Sequence, residues 1–264
     1  MGYIMEDLTV NEMEAALKTT RTVVLPIGVV EQHGYHLPLK TDTITADELS
    51  KRAASKMNAV VAPTIPYCYS GGELTGTINI SPQVFALLIS DICSELARMG
   101  FLNVVLFLGH GGYQNTEAVK GVLDILVKRN PKLKNMSFSI VGAWELSKSW
   151  DELFKLSPEH DTHAGWAETS LIMYLRPDLV RKEIAMDAPE VCRWSRMGSS
   201  EHMAREVKVV DHPYVLPRTE LKVDWKVGVT GFPERATREL GEKICEEVVQ
   251  SLADFVNFVQ KENP

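Results

Sequence analysis

Short apolar runs separated by amphipathic stretches organise most of this chain. Val23-Val24-Leu25-Pro26-Ile27 and Val104-Val105-Leu106-Phe107-Leu108 are apolar on both faces, as strands of a parallel sheet covered on both sides must be. The pattern predicts strands at about 22–27, 60–63, 103–108 and 137–142, the last ending near Trp144. Thr9-Val10-Asn11-Glu12 fits a capping box that opens a helix to about Lys18. Thr43 or Thr45 can cap a helix reaching Met57. Ser81 as N-cap and Pro82 as first helical residue start a long helix to about Met99, closed by Gly100. Further helices are expected at about 114–129, 145–155 and 163–175, where Pro177 stops the run. Pro233 is expected to open a final helix to about Gln260. Residues 67–80 read as a loop with an extended piece at 77–80.

Strands alternating with helices from 20 to 175 imply an α/β fold: a single-domain, three-layer αβα sandwich around a mostly parallel sheet. The segment at about 186–226 breaks that rhythm and reads as an irregular insertion or oligomer-contacting arm, so residues 1–264 are expected to form one domain. The formal charge of −7 without a basic block argues against a nucleic-acid partner. No apolar run is long enough to span a membrane and the first residues lack a signal pattern, so the expected location is cytoplasmic. The four cysteines, Cys68, Cys93, Cys192 and Cys245, are scattered, which argues against a cysteine zinc site or a disulfide framework.

Candidate chemistry gathers where strands end. Glu31-Gln32-His33-Gly34-Tyr35-His36-Leu37-Pro38 follows the first long strand, and Asp42 lies nine residues after His33. Carboxylate, imidazole and carboxylate are ligands for Zn, Mn or Fe, although the stretch could equally be an ordinary polar loop. In extended chain Glu31 and His33 share a side and Gln32 faces away. His110 sits in Gly109-His110-Gly111-Gly112 after another strand, and parallel sheets bind ligands beyond their carboxyl ends. That turn could cradle a phosphate instead, but it lacks both a P-loop ending and a G-x-G-x-x-G. A third cluster, His160, Asp161, His163 and Glu168, offers either a crevice-facing histidine and a deeper carboxylate, or merely Asp161 as a helix cap and Glu168 as a solvated charge. His36 reads as a loop-fixing residue, and His202 and His212 as surface or oligomer-contact residues.

These blocks resemble the creatininase (creatinine amidohydrolase) family. Its E-x-H-G-x-H-L-P followed by Asp is similar to Glu31 through Asp42, and its glycine turn to Gly109–Gly112 with Asn115 beyond. H-A-G-x-x-E-T-S is similar to His163 through Ser170, G-V-x-G-x-P-x-x-A-T-x-x-x-G to Gly228 through Gly241, and a G-T-I piece to Gly76-Thr77-Ile78. The resemblance covers about 20–260. It implies a creatininase-like fold, a homo-oligomer (often a hexamer), a small-molecule substrate and two divalent metal ions (Zn, Mn or Fe). By position, Glu31 and His110 would hold one ion and His33 the other, with Asp42 bridging. Creatininase has a Glu two places after the histidine of the glycine turn, where this chain has Gly112, so Glu168 is the expected substitute ligand. Trp144 and Trp166 resemble pocket-lining aromatics, and Gly111 and Gly112 would admit substrate close to the backbone. The activity implied is opening of a small cyclic amide by metal-hydroxide attack on a carbonyl, with His163 shuttling the proton at a pKa near working pH. Alternatives within the resemblance are hydrolysis of a formamide or a peptide, or C–C cleavage of a cyclic diketone derived from inositol. The non-enzyme alternative is a metal-binding protein without catalysis.

Overall fold

The computed structural model describes residues 2–156, 161–196, 204–221 and 225–264; the candidates His160 and His202 lie outside them. Five parallel strands form the sheet: β1 (Tyr3–Ile4), β2 (Thr22–Ile27), β3 (Val60–Val61), β4 (Asn103–Leu108) and β5 (Ser137–Gly142), in spatial order β1-β3-β2-β4-β5. Every residue of β2 is buried, as its apolar run requires of a strand covered on both faces. Pro26 lies inside this central strand, where a missing N–H would normally break a ladder. It is tolerated because β3 has ended: beyond Val61 only Ala62 N–H and Ile65 N–H donate, to the carbonyls of Val24 and Pro26.

The helices are α1 (Val10–Ala16), α2 (Thr41–Ala54), α3 (Pro82–Met99), α4 (Tyr113–Arg129), α5 (Lys148–Lys155), α6 (Trp166–Leu175), α7 (Pro189–Arg196) and α8 (Arg238–Glu262). Core residues of α2, α5, α6 and α8, among them Leu49, Trp150, Leu171, Ile244 and Leu252, cover one sheet face. Those of α1, α3 and α4, among them Phe85, Ile89, Leu96 and Val119, cover the other. The result is the expected three-layer arrangement around a five-stranded parallel sheet.

Several boundaries differ from the sequence expectation. The helix foreseen from a Thr43 or Thr45 cap begins at Thr41, with Lys40 at the cap position and no side-chain cap bond. The final helix starts at Arg238, capped by Thr237, because Pro233 opens only a short 3-10 turn. The helix foreseen at 145–155 is a 3-10 turn followed by α5, separated by Ser147, whose hydroxyl caps the second piece. The extended piece at 77–80 joins no strand, though Ile78 N–H donates to Val30 O and Ile80 N–H to Cys68 O. Within 186–226 lie α7 and an antiparallel hairpin, β6 (Ala204–Val207) with β7 (Arg218–Leu221). Among the described residues no helix is long and apolar enough to cross a membrane.

Candidate metal centre

The three long strands end level, with Ile27 paired to Leu108 and Leu108 to Gly142. The segments that follow therefore leave the sheet side by side, at the edge where parallel sheets bind ligands. Gly28 after β2 and Gly109 after β4 let α2 begin directly against this edge. A Cβ at Gly28 would lie 2.4 Å from Thr43 Cα, and one at Gly109 would lie 2.1 Å from Asp42 O. This close approach carries Asp42, in the first turn of α2, between the β2 and β4 loops. The sequence reading foresaw a returning loop at Asp42; it is instead a helix N-terminus, whose partial positive charge favours the ionised carboxylate.

Glu31, His33, Asp42 and His110 are buried at 8% exposure or less. Asp42 faces both ways: its Oδ1 is 3.2 Å from His33 Nε2 and its Oδ2 is 3.3 Å from His110 Nδ1. Glu31 Oε2 lies 3.2 Å from His110 Nδ1, and Glu168 Oε2 lies 3.9 Å from His33 Nε2. Two compact donor sets result, Glu31–Asp42–His110 and His33–Asp42–Glu168; a third grouping joins Glu31, His33 and His163.

The electrostatics of these sets call for positive charge. Burial works against ionising Glu31, yet His163, His110 and His33 hold it well below the usual carboxylate range. Asp42 is likewise lowered against its burial by His33 and His110. Burial opposes the imidazolium of His33, but Asp42, Glu168 and Glu31 raise it to about 10; His110 is held well above its ordinary value against burial by Glu31 and Asp42. Protons on two histidines thus stand where cations would balance the carboxylates, and such protons are displaced when metal binds. Asp42 Oδ2 is buried and accepts no hydrogen bond, a costly state for a carboxylate oxygen unless a cation meets it. The residues fit a pair of divalent ions.

Around these donors, further groups fix orientation, as outer partners do at metal sites. Ser70 donates to Glu31 Oε1 at 2.7 Å, engaging one carboxylate oxygen and leaving Oε2 turned toward His110. Ser70 is itself held because Asn79 accepts its backbone N–H, while Asn115 brackets Tyr69 with bonds to both its N–H and its carbonyl. Sequence reasoning missed Ser70; its one signal was its place before Gly71-Gly72 in a loop beside the sheet edge. His33 Nδ1 meets the carbonyl of Glu31 at 3.1 Å. His36 fixes the loop through Thr169, 3.0 Å from its Nε2, and lies outside all three donor sets. His212 lies apart, its carbonyl receiving Lys208 Nζ.

In the third cluster Asp161 and His163 precede α6, while Glu168 lies in its first turn. Asp161 accepts the N–H groups of Trp166 and Ala167, both at 2.7 Å, and of Phe232 at 3.1 Å, so it caps α6 and ties it to the segment at 228–232. His163 O accepts from Thr230 and Gly231. Ala164, fully buried, has φ 53°, a left-handed conformation that costs a non-glycine residue about 1–2 kcal/mol. Ala164 N–H donates to Glu168 Oε2 at 2.6 Å, turning Glu168 inward. Burial pushes Glu168 up to about 8. His163 stacks beside His33, ring centroids 4.3 Å apart, and burial pushes it down to about 4. That value lies below the near-neutral one expected from the sequence.

Gln32, expected to face away, reaches His163: its side-chain Nε2 lies 3.1 Å and its backbone carbonyl oxygen 2.8 Å from His163 Nε2. The loop belongs to no strand and turns at 34–36, so the alternation of extended chain does not govern it. Trp144 folds back over Gly142 and lies beside the glycine turn, since a Cβ at Gly111 would meet its ring at 3.8 Å. A Cβ at Gly112 would meet the His110 ring at 2.8 Å. Trp166, the first residue of α6, packs on the α2–α8 core with the Arg235 guanidinium 5.7 Å above its ring.

Comparison with known proteins identifies the family and the fold. Residues 6–256 match a family model described as Creatininase: Creatinine amidohydrolase. The creatinine amidohydrolase of Pseudomonas putida is 29% identical over 265 residues, covering 95% of this chain and 94% of that protein. A mycofactocin precursor peptide peptidase of Mycolicibacterium smegmatis is 29% identical over 242 residues, covering 89% and 83%. The 3-dehydro-scyllo-inosose hydrolase of Thermotoga maritima is 24% identical over 197 residues, covering 70% and 60%. A manganese creatininase structure superposes with a TM-score of 0.77 at 26% identity, covering 100% of both chains. A Zn–Zn creatininase mutant does so with a TM-score of 0.74 at 26% identity, covering 100% of this chain and 99% of that one. With the family model spanning nearly the whole sequence and the donor-rich sheet edge set on the same fold, this chain belongs to the creatininase family of metal-dependent hydrolases.

Proposed function

We propose that this protein hydrolyses the C–N bond of a small cyclic amide at a pair of divalent ions, Zn, Mn or Fe. The observation that carries the reading is Asp42, buried between His33 and His110 with one oxygen turned to each. Glu31, Asp42 and His110 would hold one ion, and His33, Asp42 and Glu168 the other. When bound, such ions supply a Lewis acid for the substrate carbonyl and ionise water near neutral pH. The chain's own residues do the rest. Ser70 keeps Glu31 turned toward His110. Gly111 and Gly112, free of side chains, would admit the amide close to the backbone beside Trp144. His163, beside His33, takes a proton as water adds to the carbonyl and returns it to the leaving nitrogen, so that ring opening yields one carboxylate and one amine.

The relatives that act on a peptide and on an inosose make substrate class the point to test. The protein loaded with Mn or Zn is to be offered cyclic amides including creatinine, N-formyl amines, short peptides and cyclic ketones, with products identified by mass. Ring-opened product from a cyclic amide, abolished in Glu31→Ala and His110→Ala together with metal retention, supports the proposal. Turnover confined to peptides, formamides or ketones overturns it, as does metal bound without turnover of any substrate.

A further inference from the structure

An edge strand can take on another chain, because its outer N–H and C=O groups have no ladder to join. The two edges of this sheet differ. Strand β1 is two residues long, whereas β5 has six, pairs with β4 in unbroken register from Ser137 to Gly142, and is half-buried from Ser137 to Val141. The segment from Met136 to Trp144 carries no charge and no proline, the devices that usually blunt an edge.

The pleat decides which groups are open. Ser137 N–H donates to Leu102 O, so Ser137, Ser139 and Val141 bond inward to β4, while Phe138, Ile140 and Gly142 turn their N–H and C=O outward. Gly142 N–H is already taken by Glu145 Oε2 at 2.7 Å, and Met136 N–H by Leu133 O at 2.9 Å. Among the described residues, the N–H and C=O of Phe138 and Ile140 have no partner. That set is self-complementary. A second β5 running antiparallel, with a two-fold axis through Ser139, sets Phe138 opposite the partner's Ile140, and each such pair exchanges both hydrogen bonds. No bond already made is broken. An axis on Phe138 or on Ile140 would instead aim bonds at Met136 or Gly142, whose N–H groups are engaged. The Ser139 register also brings the Phe138 and Ile140 side chains, half-buried on the face covered by α3 and α4, against each other across the axis, an aromatic beside a β-branched residue.

We propose that β5 is a self-pairing edge: two copies of this chain join antiparallel about a two-fold axis at Ser139, merging their five-stranded sheets into one. A two-fold contact closes on itself, so the edge is satisfied without open-ended growth. The pairing is independent of which substrate is turned over. Ser139 then faces the partner's Ser139 with Cα atoms about 4.5 Å apart, within disulfide reach, while Ser137 lies about 13 Å from the partner's Ser137. Under mild oxidation Ser139→Cys should therefore cross-link into dimers and Ser137→Cys should not, against a background in which the four native cysteines are buried. In the wild type, hydrogen exchange resolved to single amides should find Phe138 and Ile140 as protected as inward-bonded Ser139. Ser139→Lys, which sets like charges together at the axis and leaves the β4 ladder intact, should halve the assembly mass in analytical ultracentrifugation. Wild-type Phe138 and Ile140 amides that exchange freely while Ser139 is protected overturn the proposal whether or not any variant folds. A monomeric wild type, a folded Ser139→Cys protein that does not cross-link, equal cross-linking of Ser137→Cys, or an unchanged mass in Ser139→Lys each overturns it too.

Discussion

Replacing Gly109 by Ala tests the idea that the metal centre depends on how closely α2 approaches the sheet. The new Cβ would lie 2.1 Å from Asp42 O, where ordinary contact begins near 3.4 Å, so the first turn of α2 must retreat by about 1 Å. The obstacle is backbone on both sides, held by strand β4 and by a 14-residue helix, and no flexible side chain can yield instead. Overpacking of this kind costs about 1–3 kcal/mol. For 264 residues the unfolding entropy is about 0.55 kcal/mol/K, giving a fall in Tm of about 2–5 °C. Displacing Asp42 by that distance affects both donor sets, and a misplacement of about 1 Å costs activity about 100-fold. Calorimetry of the metal-free protein reads the first effect, and elemental analysis with kinetics reads the second. Gly121→Ala is the matched control: beyond its own stretch of helix backbone nothing lies within 4 Å of its new Cβ and the site is inside helix α4, so it should stabilise by about 1 kcal/mol. A Gly109→Ala protein that melts with the wild type and keeps both ions and full activity would refute the reasoning.

Glu168→Gln should lower the metal stoichiometry from two ions to one, because it removes the charge from the His33–Asp42–Glu168 set alone; elemental analysis after dialysis against limiting metal checks this. Chelation should abolish turnover and lower Tm, with Mn or Zn restoring both, and free metal at 100 times Kd should stabilise by about 2.7 kcal/mol. Glu247, on α8, accepts from the Ser147 and Ser149 hydroxyls and from Ser149 N–H. Burial opposes its charge, but these bonds hold its pKa below the ordinary 4.5. Its contribution, about 1 kcal/mol for a partly exposed carboxylate, is therefore present above pH 4.5 and lost as pH falls through the folded value. Glu247→Gln should be less stable than wild type at pH 7 by that amount and converge with it in acid, as measured by urea unfolding; a gap independent of pH would contradict the assignment.

The strands were legible because buried parallel strands must be apolar on both faces, and β2, β4 and β5 match their expected bounds. The strand β1 was not, since two residues paired to another two-residue strand leave no periodicity to read. Caps worked where a side chain makes the boundary, as Thr9 and Ser81 do. They failed at α2, which no side chain caps and whose start is set by contact with Gly28 and Gly109.

The site divides along the same line. Residue types and spacing, set beside a family pattern, named Glu31, His33, Asp42, His110 and Glu168 as candidate ligands, because metal ligands form a short list of side chains, and the fold brings these five together. What only the tertiary structure decided is which oxygen faces which nitrogen. Asp42 stands between His33 and His110 because two glycines let a helix meet the sheet edge. Glu168 turns inward because buried, left-handed Ala164 offers it an N–H. Ser70 and Gln32 join the site from stretches whose sequence carries no ligand signal, since hydrogen bonding between residues 39 and 131 positions apart depends on the fold that brings them together and leaves no mark on local pattern.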